Sequence, residues 1–292
     1  MVTSALLFSL MAVCVKWASE QYDAGELVFY RSLIGVLFIA VLARLRGTSL
    51  RTQMPAMHFW RSASGVASLA LWFYALGGLP LGTAMTLNYM SSVWLALFLL
   101  GGAVMLGAAR VDGRLIASVL AGFAGVALVL RPTIEQQQLW HGLAGLLSGL
   151  LAAMAYLQVT ALGRAGEPEA RIVFYFSIGG LGLGALWLAL HGASGHTPGG
   201  VALLLAIGVS ATTAQMMMTR AYRIGHTLSN ASLQYLGIVF SSILGVLVFN
   251  DPVTLMALAG MALIVVAGLA ATFLRARQQH DAQDTRSPPN DT

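Results

Sequence analysis

Segments of this chain return about 145 positions after their first appearance. Val28-Phe29-Tyr30-Arg31-Ser32 comes back as Val173-Phe174-Tyr175-Phe176-Ser177, 145 positions on. Ala75, Leu87 and Tyr89 come back as Ala221, Leu233 and Tyr235, 146 positions on. Leu120-Ala121-Gly122 returns as Leu258-Ala259-Gly260 at an offset of 138, which places a longer connector between the last two blocks of the first copy. Each copy holds five long apolar segments. Five crossings per copy is odd, so the second copy enters a membrane in the opposite orientation to the first. Inverted repeats of this kind build many secondary transporters.

A membrane is required because the chain has little charge. Of its 292 residues 58% are hydrophobic and only 9% are charged, far less charge than a soluble surface of this length needs. The apolar stretches match the roughly 20 residues that cross a hydrocarbon core. Ten spans are predicted, at 2–19, 26–44, 59–78, 81–105 and 115–131, then 140–162, 171–190, 201–222, 226–248 and 254–274. The expected fold is an all-α membrane protein of ten transmembrane helices in two inverted five-helix repeats. Residues 1–132 form the first repeat, 133–274 the second, and 275–292 a polar tail without order. The first segment lacks a basic leader and a small-residue cleavage pattern, so no cleavable signal peptide is expected. Cys14 is the lone cysteine, which excludes a disulfide framework.

The basic residues test this topology independently. With both termini inside, 13 of the 16 Lys and Arg residues fall on inner connectors and the tail. They are Arg44, Arg46, Arg51, Arg61, Arg110, Arg114, Arg164, Arg171, Arg220, Arg223, Arg275, Arg277 and Arg286. Only Arg131 lies outside, and Lys16 and Arg31 lie within spans. This asymmetry follows the positive-inside rule and accounts for the basic pI of about 9.7 without nucleic acid. All eight prolines fall at span ends, connectors or tail. Their placement argues against helices broken by proline. Gly145 and Gly149, and Gly180 and Gly184, sit four apart on single faces and permit close helix approach.

No carboxylate or histidine is predicted at mid-depth, so coupling through a buried acid is not expected. A passive carrier or exchanger follows. The same absence argues against an intramembrane enzyme, which needs a nucleophile with a base or paired acids at depth. Lys16 and Arg31 stand at similar depth near the outer face. They either snorkel to headgroups with Glu20, Asp23 or Glu26 as counter-charges, or line an outer mouth and meet an anionic group of the solute. The fourth and ninth spans carry matched polar content. Asn88 corresponds to Gln234, and Tyr89 to Tyr235. Neutral donors, acceptors and aromatic faces of this kind suit a small amphipathic solute. The candidate cavity residues are Trp72, Tyr74, Asn88, Tyr89, Ser92, Tyr156, Gln158, Gln215, Gln234, Tyr235 and Ser242. Met216-Met217-Met218 adds adaptable thioethers, which suit membrane packing or a permissive pocket.

Three runs resemble the EamA-type branch of the drug/metabolite transporter superfamily. They are Glu26-Leu27-Val28-Phe29-Tyr30-Arg31-Ser32, Leu79-Pro80-Leu81-Gly82-Thr83-Ala84-Met85-Thr86-Leu87, and Gly122-Phe123-Ala124-Gly125-Val126-Ala127-Leu128-Val129-Leu130-Arg131-Pro132. Lys16 matches a lysine found late in the first span of one branch. The resemblance spans both repeats and implies alternating access around a cavity lined by spans 1, 3, 4, 6, 8 and 9. The chain departs from it at Ser91-Ser92, where many members carry proline, and at Gly101-Gly102-Ala103-Val104, where many carry glutamate. The resulting expectation is an exporter or facilitator of amino acids, aromatic or other neutral ones, in a bacterial cytoplasmic membrane with both termini cytoplasmic. It works as a monomer in the lipid bilayer on a small-molecule substrate, with no nucleic acid, metal or cofactor. Uptake or exchange of a cofactor-like solute such as S-adenosylmethionine or riboflavin is the alternative carrier reading. A channel is the non-carrier alternative.

Overall fold

The structure is a computed structural model that describes residues 1–105, 113–130, 136–224, 230, 233–252 and 254–284. Among the described residues it is helical with short connectors and no strand. The helices are α1 (Val2–Ala18), α2 (Ala24–Leu45), α3 (Pro55–Gly78), α4 (Leu81–Tyr89), α5 (Ser91–Met105), α6 (Gly113–Leu130), α7 (Gln136–Arg164), α8 (Glu169–His191), α9 (Pro198–Ile224), α10 (Leu236–Phe249) and α11 (Leu255–Asp284). By length and composition α2, α7, α8 and α9 each suffice to cross a membrane. Their apolar residues run right round the helix. Leu45, Trp60, Leu190, Leu247 and Leu255 face outward with most of their surface exposed. Such a surface is stable against lipid, where the backbone must be satisfied internally and helices achieve that.

Prolines and left-handed residues punctuate the helices. Pro55 and Pro198 open α3 and α9, where the missing N–H has no intrahelical partner to lose. After α10, Asn250 takes the left-handed conformation (φ 51°) and Asp251 N–H returns to the Gly245 carbonyl. Gly166 (φ 85°) does the same after α7, where Glu167 N–H reaches the Leu162 carbonyl.

Two spans are interrupted without proline. The fourth divides into α4 and α5 at Met90. There the Met90 N–H is shared between the Thr86 and Leu87 carbonyls, and the Val93 N–H reaches the Met90 carbonyl at 2.9 Å. This is a single tightened turn of 3₁₀ type. In the ninth span the interruption falls at Tyr235, one residue before the match of Met90, with Ile238 N–H bonded to its carbonyl at 3.0 Å. Proline position therefore misses this feature. The fourth-span interruption coincides with a close helix approach. A Cβ on Gly149 of α7 would lie 2.6 Å from the Leu87 carbonyl oxygen and 3.0 Å from that of Asn88.

The last helix also differs from expectation. It runs ten residues past position 274, to Asp284. Arg275, Ala276, Arg277, Gln278 and Gln279 are strong helix formers with no glycine or proline among them. The repeat boundary at 132, residues 226–229 of the ninth span, and residues 285–292 lie outside the described residues.

The two halves of the chain interlock. The most extensive helix pairs are α3 with α7, α6 with α11, α2 with α8, and α1 with α9. Each joins a helix before residue 131 to one after residue 135. The contacts are reciprocal in detail. Gly35 packs on the Ser177 side chain, and Gly180 packs on that of Ser32. Gly208 packs on Ile34, and Gly179 packs on Ser62. Small residues at these crossings let helix backbones approach, which supplies the packing that holds helices together in lipid. Gly184 likewise lies against the Phe29 backbone, and Gly145 against Leu87 and Ala75.

Candidate functional site

A polar cavity lies where the halves meet. Its free volume is about 70 Å³, room for about two water molecules at roughly 30 Å³ each. The first half contributes Phe8 of α1, Arg31 of α2, Arg61, Ser68, Leu69 and Trp72 of α3, and Asn88 and Tyr89 of α4. The second half contributes Ala152, Ala155 and Tyr156 of α7, Phe176 of α8, Gln215 and Met218 of α9, and Gln234 just before α10. The tightened turns after Tyr89 and at Tyr235 therefore flank the wall.

Hydrogen bonds fix the neutral part of this wall. Gln234 Nε2 donates to Tyr156 Oη at 2.9 Å, and Tyr222 Oη donates to Gln234 Oε1 at 3.1 Å. The Tyr156 and Tyr222 rings stack at 5.6 Å. Asn88 Nδ2 donates to Ser148 Oγ at 3.0 Å, and Ser68 Oγ donates to the Ser148 carbonyl at 2.8 Å. The Asn88 amide is thus held by a partner from the other half, and the Gln234 amide by two tyrosines of its own half.

The charged part is formed by Arg31 and Arg61. They are only 4% and 3% exposed. Their guanidinium carbons lie 4.9 and 4.3 Å from the centre of the same Phe176 ring. Both lean on an aromatic face, a favourable placement for a desolvated cation. Phe176 is the residue that stands in the second copy where Arg31 stands in the first. Among the described residues neither arginine makes an ion pair, and no His, Asp, Glu or Cys lines the wall. The wall offers donors, amides and aromatic faces. It holds no nucleophile–base pair.

Of the sequence candidates, Trp72, Asn88, Tyr89, Tyr156, Gln215, Gln234 and Arg31 line this cavity. The others lie elsewhere. Tyr74 is 43% exposed and stacks on His141 at 4.3 Å. Gln158 accepts a hydrogen bond from Ser64 and joins α3 to α7. Ser92 is buried behind the wall, and the hydroxyl of Tyr235 is seated against Gly268 of α11. Ser242 packs on Gly82 and lines a separate apolar pocket with Thr83, Val246 and Met261. Lys16 and Arg31 do not form one outer mouth. Lys16 Nζ pairs with Asp251 Oδ1 at 2.9 Å, in place of Glu20, Asp23 or Glu26. Asp251 Oδ2 also accepts the Leu81 N–H at 2.7 Å, at the start of α4. A counter-charge 235 positions away is invisible to a search along the chain.

Arg61 is the residue the sequence misplaced. The span predicted at 59–78 leaves it at the inner edge, counted with the charges of the inner connector. α3 begins at Pro55, so Arg61 sits in the second turn and is buried at the cavity. The signal that finds it is the proline at 55, which favours the first helical position.

A second polar cluster lies at the α7–α8 connector. Glu167 accepts from Arg171 at 2.8 Å and from the Thr52 hydroxyl at 2.9 Å, with His58 at 3.6 Å. Burial works against ionising this carboxyl, but the Thr52 hydroxyl and the Arg171 guanidinium outweigh it and hold it below its ordinary value.

Interlocked apolar helices around a buried polar centre define a polytopic helical membrane protein. The EamA-like transporter family profile matches residues 1–131. The chain is 33% identical over 271 residues to the pseudopaline exporter CntI of Pseudomonas aeruginosa UCBPP-PA14, covering 92% of this chain and 93% of that one. It is 28% identical over 230 residues to the riboflavin transporter of Rhizobium johnstonii, covering 76% and 72%. A chain of known crystal structure superposes with a TM-score of 0.68 at 20% identity, covering 94% of this chain and 96% of the other, which supports the fold. The chain belongs to the EamA-like transporter family of the drug/metabolite transporter superfamily, and is a membrane transporter.

Proposed function

We propose that the protein is a secondary carrier of small metabolites, amino acids foremost, which it exports from the bacterial cytoplasm by alternating access. The observation that carries this reading is the polar cavity built from both halves of the chain. Its free volume of about 70 Å³ is small for a metabolite, so carrying one requires the walls to part. Two interlocked halves that rock about the cavity would open it to one side at a time. The reciprocal contacts of Gly35 with Ser177 and Gly180 with Ser32 support two five-helix repeats of opposite orientation. The basic residues on the connectors support cytoplasmic termini in an inner membrane. The wall offers no carboxylate or histidine, which favours passive exchange over coupling through a buried acid. The cavity is lined from a single chain, which supports a carrier that works as a monomer.

The riboflavin transporter among the relatives favours a second reading, a cofactor-like solute. Counterflow of labelled solutes in proteoliposomes, with and without a pH gradient, separates these readings. Exchange of amino acids without a gradient supports the first, and riboflavin exchange alone supports the second. A strict requirement for the gradient would overturn passive exchange. Topology is tested by Asp23→Cys and Ala165→Cys, both exposed, in a Cys14→Ser background. The two cysteines should react with an impermeant reagent from opposite sides. Reaction from the same side would contradict inverted repeats.

A further inference from the structure

Every unpartnered buried atom on the cavity wall is a donor. Arg31 Nε, Arg61 Nε and Nη1, and Trp72 Nε1 all lack an acceptor within hydrogen-bond distance. All three residues line the cavity. Buried donors are almost always satisfied, and leaving a charged one unmet is costly. Among the described residues no carboxylate pairs with either cation.

The geometry makes them one site. At 4.9 and 4.3 Å from one ring centre, the two guanidinium carbons are at most about 9 Å apart. Arg31 lies seven residues into α2 and Arg61 six into α3, so each stands about 10 Å from the start of its helix at 1.5 Å per residue. α2 and α3 are consecutive, so these starts face opposite ends of the bundle. Both charges therefore sit inside the apolar thickness, where an unpaired cation marks a ligand or ion path. A guanidinium presents paired donors that match a carboxylate.

We propose that Arg31 and Arg61 are the anion-binding end of the cavity and take a small dicarboxylate. This rests on the carrier reading and puts a dicarboxylate in place of a neutral amino acid as its substrate. Two negative charges neutralise two arginines, which a zwitterionic amino acid does not do. Trp72, Leu69 and Phe8 face the carbon skeleton, and the Asn88 and Gln234 amides meet its remaining polar groups.

Thermal unfolding and equilibrium binding of the purified protein test the site without transport. The probes are succinate, glutarate, inorganic phosphate, L-leucine and dimethyl succinate at matched ionic strength. Succinate or glutarate should raise the unfolding temperature, and the neutral diester should not. Arg31→Gln and Arg61→Gln should weaken succinate binding roughly 10- to 100-fold, the range for losing a charge-assisted hydrogen bond. Arg61→Lys should retain part of it. Ligand-free Arg61→Gln should unfold at a higher temperature than the parent, because an unmatched charge has gone; a structural arginine would give the opposite sign. A shift with leucine equal to that with succinate, or with phosphate alone, would overturn the proposal, as would unchanged succinate binding in both glutamine variants. Counterflow separates the two layers. Leucine exchange without succinate exchange leaves a carrier and removes the dicarboxylate. Arginine-dependent succinate binding with no exchange of any solute keeps the site and removes the carrier.

Discussion

The Lys16–Asp251 pair should behave as one coupled unit in stability measurements. Its side chains are 17% and 14% exposed. That places it between exposed pairs, worth about 0–1 kcal/mol, and fully buried ones, whose disruption costs about 3–5 kcal/mol. Asp251→Asn keeps a carbonyl oxygen for the Leu81 N–H, so its loss is confined to the charge. The expected cost is about 1–3 kcal/mol. Lys16→Met keeps the apolar stem against Phe249, where the ammonium now lies 4.6 Å from the ring centre, and strands Asp251 at a similar cost. Asp251→Ala also frees the Leu81 N–H and should cost about 1 kcal/mol more than Asp251→Asn. The double variant Lys16→Met/Asp251→Asn leaves no unpaired charge. It should lie within about 1 kcal/mol of the parent, so the coupling, both single losses less the double's, is about 1–6 kcal/mol. Thermal unfolding in detergent of the four proteins closes the cycle. Single losses that add to within about 0.5 kcal/mol would show that the contact carries no stabilising interaction and would refute this reasoning.

Glu167 gives a pH signature. Its carboxyl titrates lower in the folded protein, so its contribution is present above its unfolded value of about 4.3 and is lost as pH falls through the folded value. Glu167→Gln should destabilise by about 1–3 kcal/mol near neutral pH, with the gap to the parent closing in acid; an equal gap in unfolding curves at neutral and acid pH would contradict this. Gly149→Ala would place a Cβ against backbone oxygens of Leu87 and Asn88, and should lower stability by about 1–3 kcal/mol. Gly182→Ala, with nothing within 4 Å, should be neutral or slightly stabilising; equal melting shifts for both would dismiss the close approach. Tyr89→Ala should cut flux in proteoliposomes while leaving the fold intact, whereas Tyr235→Ala should chiefly lower the melting temperature because its ring fills space at Gly268. Flux unchanged in Tyr89→Ala would remove that residue from the path.

The spans were legible because lipid demands long apolar runs, and basic residues mark where they end. The matched pair Asn88 and Gln234 was legible because polar side chains are expensive in such runs. Facing was not. Successive residues turn by 100°, and helices apolar all round give no stripe to say which side is inward. Tyr74 and Gln158 thus look like Trp72 and Tyr156 in sequence, yet one pair faces out or across a helix seam and the other faces the cavity. Tyr89 and Tyr235 are matched by the repeat but not by environment, since only Tyr89 reaches the wall. Arg61 was hidden by a helix start four residues too late. Asp251 was hidden by distance along the chain, because only the fold brings the α10–α11 connector to the end of α1.

Thiol labelling at Ala155 tests alternating access most directly. This residue is buried on the cavity wall. With Ala155→Cys in a Cys14→Ser background, an impermeant thiol reagent should reach the cavity from either face of oriented proteoliposomes, and bound solute should slow both reactions. Modification from a single face only, with or without solute, would contradict a carrier that opens its centre to each side in turn.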